Sequence, residues 1–357
     1  MKFPCTCLAA ILFVAANWLY ANPSLKNDLY RGLPYPSDDV VTERIARLDL
    51  PFRAETSATV KSTIRRFMVE GYRDSEDILG RSNLYFPIFE HYLRLHGLPE
   101  SLKYLPIVES SLKANAQSPV GAAGLWQFVP ATARLYGLTV NAQVDERLDP
   151  HKASEAAARM LSSLFEQFGD WGLVLAAYNC GPGRVRQAMR AANSSNYWKV
   201  REFLPAESQR YIPRFIAAAY LVQYYDAYGL VPDNLDRDLM NTRTFRISKS
   251  LHLNTIARQL GLSYRTLQFL NPSFIQGLVP ATTKGHLITI PDRVATDFAA
   301  QFVANAALPA TTQRQQSQYI TVPGDNLETL ATLFQCTPED LMAWNGLTHR
   351  QLAVNQT

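Results

Sequence analysis

From about residue 41 to residue 230 the apolar side chains recur at helical intervals, and after Val231-Pro232-Asp233 they stop doing so. This change of period constrains the chain more than any other feature, because helical and alternating patterns bury different faces and cannot share one layer. Before the switch, Ile45, Leu48, Val60, Ile64, Phe67 and Met68 fall on helix-like spacings. Helices are also expected over Tyr85 to Leu95, Ala153 to Phe168, Leu173 to Tyr178 and Tyr211 to Tyr228, with Gly97, Gly169, Gly181 and Gly229 beyond their ends. Pro99 would restart the chain at a first-turn position. After the switch, Thr242 to Ile247 and His286 to Ile290 alternate like strands, and two short helical patterns, Asn254 to Leu260 and Tyr264 to Leu270, lie between them. The expected fold is multidomain: a mainly α-helical domain over 41–232, then a small α+β unit of order strand, helix, helix, strand over 242–292.

Composition excludes some classes. Hydrophobic residues make up 47% of the 357 and charged residues 18%, which rules out a disordered chain or a fibrous repeat. The net charge of +4 comes without a long basic run, and no nucleic-acid motif is present, so nucleic acid is not an expected partner. The N-terminus reads as a signal peptide over 1–21: Lys2, an apolar run from Cys5 to Ala16, then small residues suited to cleavage. The run is short for a membrane span, which needs about 20 residues; left uncleaved, it would instead hold the chain at a membrane. Cys5 and Cys7 precede the apolar run, so no lipid-anchor pattern is formed, and Cys180 and Cys336 are expected to be free. Residues 22–40 and 293–318 read as linkers, the second containing an Ala-, Thr- and Gln-rich stretch. The six histidines lack ligand spacing, and no metal or cofactor is expected.

A shift of 74 residues superimposes the end of the chain on the small α+β unit. It matches Leu253 with Leu327, Thr255 with Thr329, Ala257 with Ala331, Leu267 with Leu341 and Asn271 with Asn345. The later copy, 319–357, carries Tyr319-Ile320-Thr321-Val322-Pro323-Gly324-Asp325-Asn326-Leu327, Leu330-Ala331 and Asn345-Gly346-Leu347, and resembles the LysM family. The earlier copy lacks the Gly-Asp pair and has a longer loop, Pro272 to Gly285, and so resembles a degenerate LysM. The family fold is a βααβ module that binds N-acetylglucosamine polymers. The sequence ends at Thr357, before a strand matching His286–Ile290; either that strand is missing or the last unit is incomplete.

Three clusters in the helical region carry chemistry. Glu109 follows the apolar run Tyr104-Leu105-Pro106-Ile107-Val108. Such surroundings disfavour a charged carboxyl and raise its pKa, which suits a general acid; the plainer alternative is a surface Glu near a helix end. Gly121-Ala122-Ala123-Gly124-Leu125-Trp126-Gln127-Phe128 combines glycines that permit positive φ with an indole that could stack on a sugar face and an amide that donates and accepts. Its alternative is a turn leading to a core Trp. Tyr178-Asn179 closes an apolar helix before Gly181-Pro182-Gly183 and suits either a groove wall or a helix cap.

In order, Glu109-Ser110, Gly124-Leu125-Trp126-Gln127 and Ala177-Tyr178-Asn179 resemble the three signatures of the soluble-lytic-transglycosylase family, whose fold is goose-type-lysozyme-like. Trp126 stands where Met is usual and Cys180 where Ala is common. With Asp145-Glu146-Arg147-Leu148-Asp149-Pro150, Arg210-Tyr211-Ile212-Pro213 and the LysM units, the chain resembles the membrane-bound lytic murein transglycosylase D branch. The resemblance implies Glu109 as the catalytic acid/base. It implies Ser118 and Gln127 orienting N-acetylmuramic acid, Tyr178, Asn179 and Tyr211 lining the groove, and Ser110 as part of the signature. It implies peptidoglycan glycan strands as partner and the bacterial periplasm or cell envelope as location. Most glycosidases use two carboxylates; the signatures here hold one, and Asp145, Glu146 and Asp149 read as capping and ion-pairing groups. One carboxyl fits a reaction in which the muramic 6-hydroxyl, rather than water, attacks the anomeric carbon. A lysozyme-like hydrolase and a silent wall-binding protein are the alternatives.

Overall fold

The computed structural model describes residues 35–303, together with Leu327, Leu330, Ala331, residues 338–347 and His349. The segment read as a signal peptide, Cys336 and the strand expected at Tyr319 lie outside the described residues. Two compact units divide the chain, 1–304 and 305–357.

In the first unit, local chemistry sets several helix ends. Ser57 accepts a hydrogen bond from the Val60 amide and starts the Ala58–Arg65 helix. Asp149 accepts from the His151 and Lys152 amides, Pro150 follows as first residue, and the Pro150–Phe168 helix runs until Gly169 turns left-handed at φ 65°. A cap of this kind stabilises a helix by about 1 kcal/mol. Asp170 accepts from the Leu173 amide and opens Trp171–Cys180, and Gly181 (φ 88°) closes it. The Tyr72–Leu95 helix is longer than its periodicity indicates, with Pro87 inside it. Its first turns are polar, so the apolar pattern does not announce them. Tyr211–Tyr224 ends before Tyr228; a separate 3-10 turn, Asp226–Tyr228, leads into Gly229.

These helices share one core. Leu173, Val174, Leu175, Ala176 and Ala177 are fully buried at its centre, against Phe215 and Ile216 of the Tyr211–Tyr224 helix and Leu161 of the Pro150–Phe168 helix. The chain leaves this core across Gly80. The Asp233 amide bonds to the Glu76 carbonyl at 3.1 Å, and a Cβ at Gly80 would stand 2.6 Å from the Asp233 carbonyl oxygen.

Thr242–Ile247 then pairs antiparallel with His286–Pro291, in the register Phe245 with Ile288 and Ile247 with His286. The helices Leu253–Gln259 and Tyr264–Leu270 lie between them, as the pattern predicts. A two-residue pairing joins Leu251–His252 to Leu278–Val279. The expected linker at 293 is not one at its start: Ala295–Phe302 is a helix that buries Ala295, Phe298 and Phe302 in the core of this α+β unit. Its alanine-rich sequence resembles the polar stretch that follows and hides its apolar face.

The 74-residue shift finds the same physics twice. Asn271 donates to the Leu267 carbonyl at 2.9 Å, and Asn345 donates to the Leu341 carbonyl at 2.8 Å. Leu253 and Ala257 are buried in the first copy, Leu327 and Ala331 in the second.

Candidate active site

Glu109 sits in the last turn of a short helix, Leu105–Ser110, with Pro106 in its first turn. The helix stops abruptly because Ser111 (φ 52°) and Leu112 (φ 58°) are both left-handed. Non-glycine residues in that region cost of order 1–3 kcal/mol each and persist only where their surroundings hold them. Here the Ser111 amide returns to the Ile107 carbonyl and the Leu112 amide to the Pro106 carbonyl, Leu112 is fully buried, and Arg81 donates to the Ser111 carbonyl.

The Glu109 carboxylate receives the Tyr211 hydroxyl. Burial pushes the Glu109 carboxyl up to about 7; the Tyr211 hydrogen bond opposes that rise, Glu207 adds to it, and Arg214 opposes it. The high pKa expected from the apolar flank is therefore what the site produces. Tyr211 and Tyr178 are both held well above the usual phenol range, first by burial and then by the charge of Glu109. The three groups form one cluster.

The Gly121–Phe128 loop makes the neighbouring wall. Ser110 is buried, and its hydroxyl lies 2.9 Å from both the Pro106 and Leu125 carbonyls, so it fastens the Glu109 helix to this loop. Tyr178 donates to the Trp126 carbonyl at 2.7 Å and fastens the Trp171–Cys180 helix to the same loop. Gln127 is left-handed (φ 49°), and its side-chain amide donates to the Gly124 carbonyl at 2.8 Å and the Ala116 carbonyl at 3.3 Å. Both its N–H groups are thus used, and its oxygen is the end available to a ligand. Ser118 caps its own turn, accepting from the Ala122 amide at 3.0 Å; no hydrogen bond among the described residues ties it to Glu109. Asn179 accepts from Ser208 at 2.6 Å, which joins the Trp171–Cys180 helix to the turn before Tyr211.

Trp126 corrects the expectation of a sugar-stacking indole. It is 1% exposed, its Nε1 donates to Ser154 at 3.0 Å, and its ring meets Phe89 edge-on at 5.1 Å. A partner on the Pro150–Phe168 helix lets the whole indole go inside, so the core alternative holds. Ser110, the signature serine, is buried and fastens the Glu109 helix to the loop.

The acidic turn behaves as expected. Asp145 pairs with Arg147 in a buried fork, with contacts of 2.9 and 2.7 Å. Glu146 accepts from the Thr139 amide, and Asp149 is the helix cap already described. The sequence reading missed Glu207, Ser208 and Arg214. Arg214 lies three residues after Tyr211 on the same helix, a spacing that shares a face, and Glu207 and Ser208 lie in the short helix Ala206–Gln209 just before it, so Tyr211 itself was the signal. Cys180 is a free thiol. Among the described residues no cluster of three or more His, Cys, Asp or Glu side chains could hold a metal ion.

Comparison with known proteins gives three domain matches. Residues 86–201 match the transglycosylase SLT domain, 241–307 the LysM-like domain of lytic transglycosylase MltD, and 319–357 the LysM domain. The chain thus carries, in order, an SLT domain, an MltD-type LysM-like domain where the degenerate LysM was expected, and a LysM domain. It is similar to membrane-bound lytic murein transglycosylase D of Escherichia coli (strain K12), 28% identical over 293 residues that cover 79% of this chain and 64% of that protein. It is also similar to soluble lytic murein transglycosylase of the same strain, 30% identical over 152 residues covering 40% of this chain and 22% of that one. A solved structure, the 70-kDa soluble lytic transglycosylase of Escherichia coli, matches with a TM-score of 0.34 at 26% identity, over 40% of this chain and 25% of that chain.

Proposed function

We propose that the protein cleaves the bond between N-acetylmuramic acid and N-acetylglucosamine in peptidoglycan by intramolecular transglycosylation. The observation that carries the reading is Glu109, partly exposed, raised to about 7 and bonded to the Tyr211 hydroxyl inside an SLT domain. A carboxyl with that pKa is about half protonated at neutral pH and can give its proton to the glycosidic oxygen. As the leaving sugar departs, the substrate's own acetamido oxygen stabilises the electron-poor anomeric carbon. The Tyr211 hydroxyl stabilises the carboxylate that has just formed. Glu109 then takes the proton of the muramic 6-hydroxyl, whose oxygen closes the 1,6-anhydro ring. The attacking group is part of the substrate, so proximity replaces a second carboxylate. In this scheme Gln127 accepts from a substrate N–H or O–H, and Tyr178 and Asn179 border the sugar.

The second LysM unit is proposed to hold the enzyme on glycan, and deletion of 319–357 should reduce binding to sacculi. Export to a bacterial envelope follows from such a substrate. No helix among the described residues is long and apolar enough to cross a membrane.

Mass spectrometry of soluble products from purified peptidoglycan tests the reaction. Products one water lighter than ordinary muropeptides, lost in Glu109→Gln, are expected. Reducing ends would mean that water attacks, and cleavage surviving in Glu109→Gln would remove the assignment.

A further inference from the structure

The seam between the helical region and the first LysM-like unit is continuous with the active-site wall. Val144 belongs by position to the segment between the Pro130–Leu135 and Pro150–Phe168 helices. Yet it is 3% exposed in the apolar core of the LysM-like unit, with Ile247, Leu253, Phe274 and Ile288. Backbone bonds run on either side of it. The Asp145 amide donates to the Ser273 carbonyl and the Ile275 amide to the Gln143 carbonyl, both at 2.9 Å, and Val144 pairs antiparallel with Phe274. Residues 273–275 lie in the Pro272–Gly285 loop, the stretch by which this unit departs from the LysM pattern.

The same segment reaches the catalytic wall two residues later. Asp145 holds the Arg147 fork, and the remaining Arg147 nitrogen donates to the Gly121 carbonyl at 2.7 Å and the Phe128 carbonyl at 3.0 Å. These are the two ends of the loop that carries Gln127 and receives Ser110 and Tyr178. Between them Gly124 (φ 83°) rests on the Arg147 main chain so closely that a Cβ would stand 1.8 Å from its carbonyl oxygen. A planar guanidinium making hydrogen bonds through all three of its nitrogens fixes geometry as well as charge.

We infer that the first LysM-like unit is a positioning element of the active site, its loop holding the Gln143–Arg147 segment so that Arg147 can clamp both ends of the Gly121–Phe128 loop. The unit is thus a working part of the catalytic domain and not a separate glycan anchor. This rests on the proposed reaction only for its kinetic readout.

The test uses the full chain with Phe274→Ala, the conservative Phe274→Leu, and Arg147→Lys, which keeps the charge but loses the fork. Three quantities are measured: kcat and KM for anhydro-product release from soluble uncrosslinked glycan chains, co-sedimentation with sacculi, and hydrogen exchange of the 121–128 amides. Phe274→Ala and Arg147→Lys should lower kcat about tenfold to 100-fold, the scale of a misplacement of about 1 Å. They should speed exchange at Ala123 and Gly124, leave the 173–177 amides protected, and leave sacculus binding unchanged. Phe274→Leu should recover most of kcat. Weakened sacculus binding with wild-type kcat on soluble chains would overturn the inference, as would exchange that rises equally through 173–177. If the wild type released no anhydro product, the proposed reaction would fail while the exchange data still decided the coupling.

Discussion

Replacing Glu109 by Gln should abolish cleavage and at the same time stabilise the protein, by an amount that depends on pH. The carboxyl's ordinary value is 4.5, and the folded site raises it to about 7. Between those values the native state holds a proton that the unfolded chain has released, so wild-type stability falls as pH rises across the interval and levels off above it. A rise of about 2.5 units at 1.36 kcal/mol per unit amounts to roughly 3 kcal/mol. Below pH 4.5 both states are protonated and the loss is absent. Glutamine has no such titration. Urea unfolding of the two proteins, followed by tryptophan fluorescence, should therefore give similar midpoints at pH 4.5 and a clearly higher midpoint for the variant at pH 8. A stability difference that stays the same at both pH values would refute the reasoning, because it would mean that Glu109 is not held protonated by its surroundings.

Three further outcomes follow from the same contacts. Tyr211→Phe removes a hydrogen bond to a charged acceptor, about 1.5–3 kcal/mol, and should move the alkaline limb of the kcat/KM profile up by roughly one unit or more; an unmoved limb would separate Tyr211 from the acid. Trp126→Phe should lower stability by roughly 1–3 kcal/mol through the lost Ser154 bond and lost volume, with KM for glycan chains unchanged; a raised KM with intact stability would put the indole back in the groove. Asn271→Ala strands the Thr289 amide and carbonyl that its side chain now satisfies. It should cost at least about 2 kcal/mol in chemical denaturation, and no loss would mean that water replaces the side chain fully.

How far these features were legible in the sequence depended on whether their causes were local. The Thr242–Ile247 strand and the Tyr264–Leu270 helix are readable because period and flanking breaks agree within a few residues. The raised Glu109 was legible for a similar reason: the apolar run before it packs it inward. The first turns of Tyr72–Leu95 were not, because they are helical through contacts made elsewhere, including the crossing at Gly80. The end of the Tyr211 helix at Tyr224 was hidden because Tyr225 to Tyr228 continues the same apolar pattern while turning as a 3-10 helix. Trp126 was ambiguous because a glycine-flanked aromatic suits a groove as well as a core, and only the Ser154 hydroxyl, 28 residues away, decides between them. Val144 is the extreme case: a single valine in a polar turn gives no sign that its core lies about 130 residues further along.

That valine also limits how such chains can be recombined. Small modules of this type are natural cassettes for shuffling, since a βααβ unit closes most of its own core. The one at 242–302 does not close it alone. Grafted onto another catalytic domain, it would carry a hole where Val144 had been and two backbone groups, at Ser273 and Ile275, with nothing to pair. Transplanted successfully, it would have to bring the Gln143–Arg147 segment with it, and with that segment the shape of the loop around Gln127. The junction at Val231-Pro232-Asp233, where the sequence changes character, is therefore not where the molecule can be cut.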